Sequence, residues 1–265
     1  MEYIEKVIEY SRPDSFRFYA FGDVHAGVLQ CAEKNAKRKI ADIRQEKNSY
    51  IIGMGDYSEC ITPSDPRWNP SLIAPWVKRD NVAESQRRFV VSLFQPVKNR
   101  IIALLIGNHE EAIHRYLNDD IAGNIVDDLG VPYGGYQCFI DLVFRRKHTS
   151  ESHRYRIHAW HGAGSAQTEG ARLMRLKRLV KEFEADIYLM GHLHAITHDI
   201  TDRITVRAGR LKQIPQIATI TGSFLKTYMQ AVPPGYGERA GYKPSHLGCP
   251  CIIINPDKDS VIYQS

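Results

Sequence analysis

Residues 16–27 read FRFYAFGDVHAG. Phe16 to Phe21 is a short apolar, aromatic-rich run with the length and composition of a strand, and Gly22-Asp23 stops it with turn chemistry. A helical pattern follows over about Gln30 to Lys47, with Ala32, Ala36, Ile40 and Ile43 on one face. The same grammar recurs at Tyr50 to Met54 before Gly55-Asp56, at Arg100 to Ile106 before Gly107-Asn108-His109, and at Asp186 to Met190 before Gly191-His192. Each apolar strand ends in a glycine and a polar side chain. In open α/β sheets ligands gather at the carboxyl ends of strands, where side chains escape the packed layers while the backbone stays fixed.

Between these units, Val82 to Val97 and Glu169 to Phe183 have helical periodicity, and Gln137 to Arg146 with Arg154 to Trp160 has the pattern of a hairpin. The C-terminal third is mostly strand, around Ile204, Ile217, Ile252 and Val261. Alternating strands and helices predict an α/β fold of two sheets packed face to face with helices outside. Strand order does not follow from the pattern.

At 265 residues, with 43% hydrophobic and 25% charged residues, the chain is expected to fill one domain over 1–265. No apolar run is long enough to span a bilayer, and the opening MEYIEKVIEYSRPDSF carries acidic residues where a leader needs a continuous apolar stretch. Five scattered cysteines (Cys31, Cys60, Cys138, Cys249, Cys251) argue against a disulfide framework and for a reducing, cytoplasmic setting. A net charge of +5 permits an anionic substrate without demanding nucleic acid.

The strand ends collect Asp23, His25, Asp56, Asn108, His109, His161, His192 and His194. Oxygen and nitrogen donors without thiolates suit Zn, Mn or Fe in an open site and disfavour a closed structural zinc site. In Asp23-Val24-His25 and His192-Leu193-His194 the members are one residue apart, so an extended backbone points both the same way. A lone Gly-Asp is ordinary turn chemistry. Two histidines on one side of a strand end, by contrast, are a polar cost that a metal explains.

As an ordered set, FGDVHAG (21–27), GMGDYSE (53–59), IGNHE (106–110), HAWHG (158–162) and GHLH (191–194) resemble the calcineurin-like metallophosphoesterase superfamily. The resemblance implies an α/β/β/α sandwich of two packed mixed β-sheets flanked by helices. It implies two divalent metal ions, the first held by Asp23, His25 and His194, the second by Asn108, His161 and His192, with Asp56 bridging. His109 would act on the leaving-group side as general acid or transition-state stabiliser. Glu110 would orient that imidazole or stand solvated at the start of the next helix. His161 is chosen over His158 because the family ligand directly precedes glycine, which leaves His158 as an alternate-face histidine with a hydrogen-bond partner. Many relatives carry Asp where Glu59 stands, which bears on a supporting contact.

Tyr57-Ser58-Glu59 and Leu105-Ile106 replace the Arg-Gly and the Arg that mark Ser/Thr protein phosphatases of the superfamily, so that subfamily is not expected. Segments 57–80 and 222–250 are the expected substrate-shaping loops. The second interleaves Tyr228, Tyr236 and Tyr242 with Lys226, Arg239 and Lys243, a composition that can stack bases and meet phosphates or can simply cover a sheet edge. The basic helix with Arg172, Arg175, Lys177, Arg178 and Lys181 is expected to be a solvated face, with contact to a nucleic-acid backbone as the alternative. A phosphodiesterase on nucleic acid or a nucleotide is the leading expectation. A phosphomonoesterase and a catalytically silent protein-binding scaffold are the alternatives.

Overall fold

The structure is a computed structural model that describes residues 1–207 and 209–265. Along the chain run β1 (Glu2–Tyr10), β2 (Phe16–Phe21), α1 (Glu33–Gln45), β3 (Ser49–Gly53), α2 (Val82–Phe94), β4 (Ile101–Leu104), α3 (Asn108–Leu117), α4 (Ile121–Leu129), β5 (Gln137–Arg146), β6 (Ser152–Trp160), α5 (Glu169–Glu182), β7 (Ile187–Met190), β8 (Ile196–Arg207), β9 (Arg210–Thr221), the single-turn α6 (Tyr236–Arg239), β10 (Cys251–Asn255) and β11 (Ser260–Gln264). They form a six-stranded sheet, β1-β5-β6-β7-β9-β8, and a five-stranded sheet, β11-β10-β2-β3-β4. Both are mixed: β2, β3 and β4 run parallel while β10 is antiparallel to β2, and β6, β7 and β9 run parallel while β5 is antiparallel to β6.

Period-two alternation explains the layers. Phe16, Phe18 and Ala20 of β2 face the other sheet and pack with Ile52, Ile102, Ile140, Ile157, Leu189 and Ile217. Tyr19 and Phe21 point the opposite way, onto Ile40 and Ile43 of α1, Val90 of α2 and Ile125 of α4. Leu176 and Leu179 of α5 cover Tyr188, Met190 and Ile220 on the outer face of the six-stranded sheet. The result is the expected layering of helices, sheet, sheet and helices. Strands buried on both faces need apolar residues at every position, which is why β2, β3, β4 and β7 appear as continuous runs. Each such side chain contributes about 1.5–3 kcal/mol on burial.

Some elements differ from the pattern. The nine-residue edge strand β1 pairs in parallel with β5, its apolar residues alternating with Glu and Lys and only Ile8 and Tyr10 buried. The helix expected to reach Val97 ends at Phe94 and continues as a 3₁₀ turn, because Pro96 cannot donate to an α-helical ladder. α4, which the periodicity did not single out, buries Ile121, Ile125 and Leu129. Parallel β2, β3 and β4 end on one edge, and β6 and β7 end together in the facing sheet. The two sets of carboxyl ends therefore meet.

Candidate metal centre

The loops after β2 and β3 are zipped to each other by their backbones: Asp23 N–H donates to Gly55 O, Val24 and His25 N–H to Asp56 O, and Ala26 N–H to Tyr57 O. Asp23 accepts the His192 amide at 3.1 Å, which ties the two sheets together at the ends of β2 and β7. Glycines permit the close approach. A Cβ on Gly107 would stand 2.0 Å from Asp56 Oδ1, and one on Gly55 would stand 2.7 Å from His161 Nδ1.

Asp23, His25, Asp56, His192 and His194 all have positive φ, between 48° and 69°. This corrects the extended geometry expected of the DVH and HLH pairs. Side chains one residue apart converge because the backbone is left-handed at the first and third positions. Non-glycine residues held there cost roughly 1–3 kcal/mol each. Such strain persists where surrounding contacts enforce it, and the zipped loops provide those contacts.

His25 Nε2 lies 3.0 Å from His194 Nε2, and the latter lies 3.3 Å from Asp23 Oδ1. His161 Nε2 lies 3.2 Å from Asn108 Oδ1 and 3.3 Å from Asp56 Oδ2, while the same Asp56 oxygen is 3.9 Å from His25 Nε2. Ligand-type atoms of Asp23, His25 and His194 form one group and those of Asp56, His161 and His192 another, and a third group of His25, Asp56 and His109 overlaps both. His109 thus sits within the same cluster as the residues expected to bind metal.

The rings of His25, His161, His192 and His109 are each fixed by a hydrogen bond from one nitrogen, which sets the tautomer. His25 Nδ1–H donates to Glu59 Oε2 at 2.8 Å and leaves Nε2 free as an electron-pair donor. His161 Nδ1–H donates to Met54 O at 2.6 Å, again leaving Nε2. His192 Nε2–H donates to Gly164 O at 3.0 Å and leaves Nδ1. His109 Nδ1–H donates to Glu59 O at 2.5 Å, which leaves Nε2. The Glu59 carboxylate thus makes a supporting contact to the His25 ring.

Burial alone would strip charge from these groups, and it does hold His25 and His192 below the ordinary imidazole range. At His161 burial is outweighed by the Asp56 carboxylate, which pushes the ring up to about 10. His109 is likewise raised against its burial by Asp56 and Glu59. Burial also opposes the Asp56 charge, yet His161, His109 and His25 hold its carboxyl well below the usual range. The carboxylates that favour a proton on His161 and His109 favour a cation for the same electrostatic reason, and a metal entering there displaces such protons. The donor set therefore fits divalent ions.

Glu110 has neither role expected of it. It is buried, and its carboxylate accepts the amides of Asp56 at 3.0 Å, Ser58 at 2.9 Å and Gly107 at 3.1 Å, so it holds the loop carrying Asp56 rather than the His109 ring. Burial and the nearby Asp56 push it up to about 7. The sequence carried a signal for this: Glu110 is the third residue of α3, where a Glu reaches back to the amide of its cap. His158 also departs from expectation. It lies on the outer face of β6, stacked on Phe183 at 4.1 Å, with neither ring nitrogen hydrogen-bonded to a described residue, and burial lowers it to about 4. Arg172 and Arg175 are not a free solvated face either, for both reach back to carbonyls of the 163–166 loop.

A four-layer sandwich with Asp, Asn and His donors at facing strand ends is the scaffold of a metal-binding hydrolase. The calcineurin-like phosphoesterase family model matches residues 16–195, and the chain belongs to that family. Among solved structures it is similar to a conserved protein of Streptococcus pneumoniae TIGR4 described as a predicted phosphoesterase, at 14% identity over 91% of this chain and 84% of that one, with a TM-score of 0.36. It is also similar to GAP50, the anchor in the inner membrane complex of Plasmodium, at 12% identity over 90% of this chain and 81% of that one, with a TM-score of 0.49. Comparison with curated proteins gives no match.

Proposed function

We propose that the chain hydrolyses a phosphodiester of a nucleic acid or nucleotide, with Asp23, His25 and His194 holding one divalent cation, Asn108, His161 and His192 a second, and Asp56 shared between them. The observation that carries the reading is the convergence of these donors, with the His25, His161 and His192 rings each fixed by a second nitrogen. Bound there, a pair of Mn, Zn or Fe ions would supply charge neutralisation at the phosphoryl oxygens and acidify a water toward a pKa of about 7. His109 keeps its Nδ1 proton on Glu59 O, which turns Nε2 toward the departing oxygen as its general acid or stabiliser. Asp56 keeps its place because Glu110 and the His109 amide brace its loop and carboxylate.

Features of the rim favour a diester with a nucleoside part. Tyr236 and Tyr228 are 72% and 47% exposed. Tyr236 packs edge-on to Tyr242 at 5.7 Å, and Tyr242 neighbours Gln167 in the loop that follows His161. Exposed rings can stack bases, and the neighbouring Arg239 and Lys243, also exposed, can meet phosphates. On the other side Arg67, gripped at two points by Asp65, lies within electrostatic range of Asp56, Glu59 and His109. We place the protein in a reducing cytoplasm, which suits its five buried, unpaired cysteines. No helix among the described residues is long and apolar enough to cross a membrane.

The test is turnover by the Mn-loaded protein of bis-p-nitrophenyl phosphate, p-nitrophenyl phosphate, and labelled single- and double-stranded DNA and RNA. Preference for the diester together with nucleic-acid cleavage is expected. Preference for the monoester would replace this reading with a phosphomonoesterase. Absence of turnover with any metal, while partners co-purify, would replace it with a scaffold.

A further inference from the structure

Among the proposed metal ligands fixed by a hydrogen bond, His192 leans on a loop carbonyl. His25 leans on a side chain of its own neighbourhood, and His161 leans on Met54 O, the carbonyl that directly follows strand β3. The partner of His192 is Gly164 O, in a loop between β6 and α5 that belongs to no sheet. That loop has backbone conformations open to glycine: Gly162 has φ 103° and Gly164 φ 72°. A hydrogen-bonding carbonyl on such a loop fixes a ring only if something fixes the loop.

Arg175, one and a half turns into α5, does so. Its Nη1 donates to Ala163 O at 3.0 Å and its Nη2 to Ser165 O at 3.3 Å, so one planar guanidinium grips the carbonyls on both sides of Gly164. The fit leaves no room for a side chain between them, because a Cβ on Gly164 would stand 2.7 Å from Arg175 Nη2. Arg172 adds Nε to Ala166 O at 3.1 Å. The helix is itself seated by Leu176 and Leu179, both buried. A continuous path therefore runs from the packed outer face of the six-stranded sheet, through Arg175 and the clamped loop, to Nε2 of His192.

We propose that Arg175 is a positioning residue for the second cation: by clamping residues 163–165 it holds Gly164 O where it fixes the tautomer and orientation of His192, leaving Nδ1 to the metal. This rests on the reading of His192 as a ligand. Arg175 touches neither metal nor substrate, and its effect is confined to the site that His192 serves. Outer partners of metal-bound histidines are worth about 10–100-fold in affinity, and one acting through a loop belongs at the lower end.

The experiment is calorimetric titration of metal-free protein with Mn or Zn, with bound metal counted after dialysis, for wild type, Arg175→Ala, Arg175→Lys, Arg178→Ala and His192→Ala. Arg178 is exposed on the same helix and serves as the control. Arg175→Ala is expected to weaken the second equivalent about 10-fold while the first equivalent and the melting temperature of the metal-free protein stay at wild-type values. Arg175→Lys, which retains charge and reach but grips at one point, should recover part of the loss. Arg178→Ala should bind as wild type. The proposal is overturned if Arg175→Ala binds both equivalents as wild type, or if it weakens both equally along with the melting temperature, which marks a merely structural role. His192→Ala retaining both equivalents would instead sink the underlying ligand assignment.

Discussion

Asp56 and Asp141 are both buried carboxylates on the same fold, and their surroundings are opposite. Asp141 sits within β5, where Arg156 grips it at 2.8 and 3.0 Å, Arg154 donates at 2.5 Å and Tyr3 at 3.1 Å. Arginine never gives up its proton and cannot ligate a metal, so that charge is settled permanently. Asp56 is surrounded instead by His25, His109 and His161, bases that can exchange a proton for a cation. The structural carboxylate and the one proposed to hold metal differ in the exchangeability of their partners and not in depth of burial.

Exchanging the chemistry at Asp56 should produce the largest effect. Asp56→Asn removes the charge proposed to serve both cations, and we expect loss of bound metal and a fall in phosphoester turnover on the order of 10⁴-fold, read by metal analysis and steady-state kinetics. Retained metal and activity would erase the distinction between the two carboxylates. His109→Ala comes next, with turnover lower by on the order of 10²–10³-fold and metal content unchanged. Empty sites in that variant would move His109 from acid to ligand. Glu110→Ala orphans the amides of Asp56, Ser58 and Gly107, and at about 1–3 kcal/mol for each buried unsatisfied donor it should lower stability by about 3 kcal/mol or more. Denaturant unfolding with a wild-type midpoint would show that the brace is dispensable.

The smallest effect is expected at Asp141. Hydrogen bonds from Arg156 hold it down to about 2 against burial, with Arg154 and Tyr3 adding to the effect, compared with 3.8 when free. A depressed carboxyl contributes stability that is present above its unfolded pKa and is lost as pH falls toward its folded one. Between pH 4 and pH 2 wild type should therefore lose stability on the order of 1 kcal/mol through this group, its arginines being partly exposed and screened. Asp141→Asn should flatten that part of a urea-midpoint profile, and an unchanged acid limb would show that Arg154 and Arg156 do not stabilise the charge.

The apolar runs at Phe16, Tyr50, Arg100 and Asp186 made the layered fold legible, because strands buried on both faces leave a continuous signature. The donor residues were legible for a related reason: Gly followed by Asp, Asn or His after such a run has few packing explanations. Strand β1 was less visible, since an edge strand buries little and its alternation with Glu and Lys is weak. Arg172 and Arg175 read as a solvated face in the sequence because their partners are main-chain carbonyls. Neither a contact to the His109 ring nor solvation describes Glu110, because its real partners, the amides of the Asp56 loop, are brought to it only in space.

The chain's own letters determined the layering and the chemical types gathered at the strand ends. The folded structure alone decided which nitrogen of His161, His109 and His192 is left free, through Met54 O, Glu59 O and Gly164 O, and which arginine steadies the last of these. A carbonyl oxygen is present at every residue and so carries no mark in the sequence, and only the path of the backbone gives one of them a role.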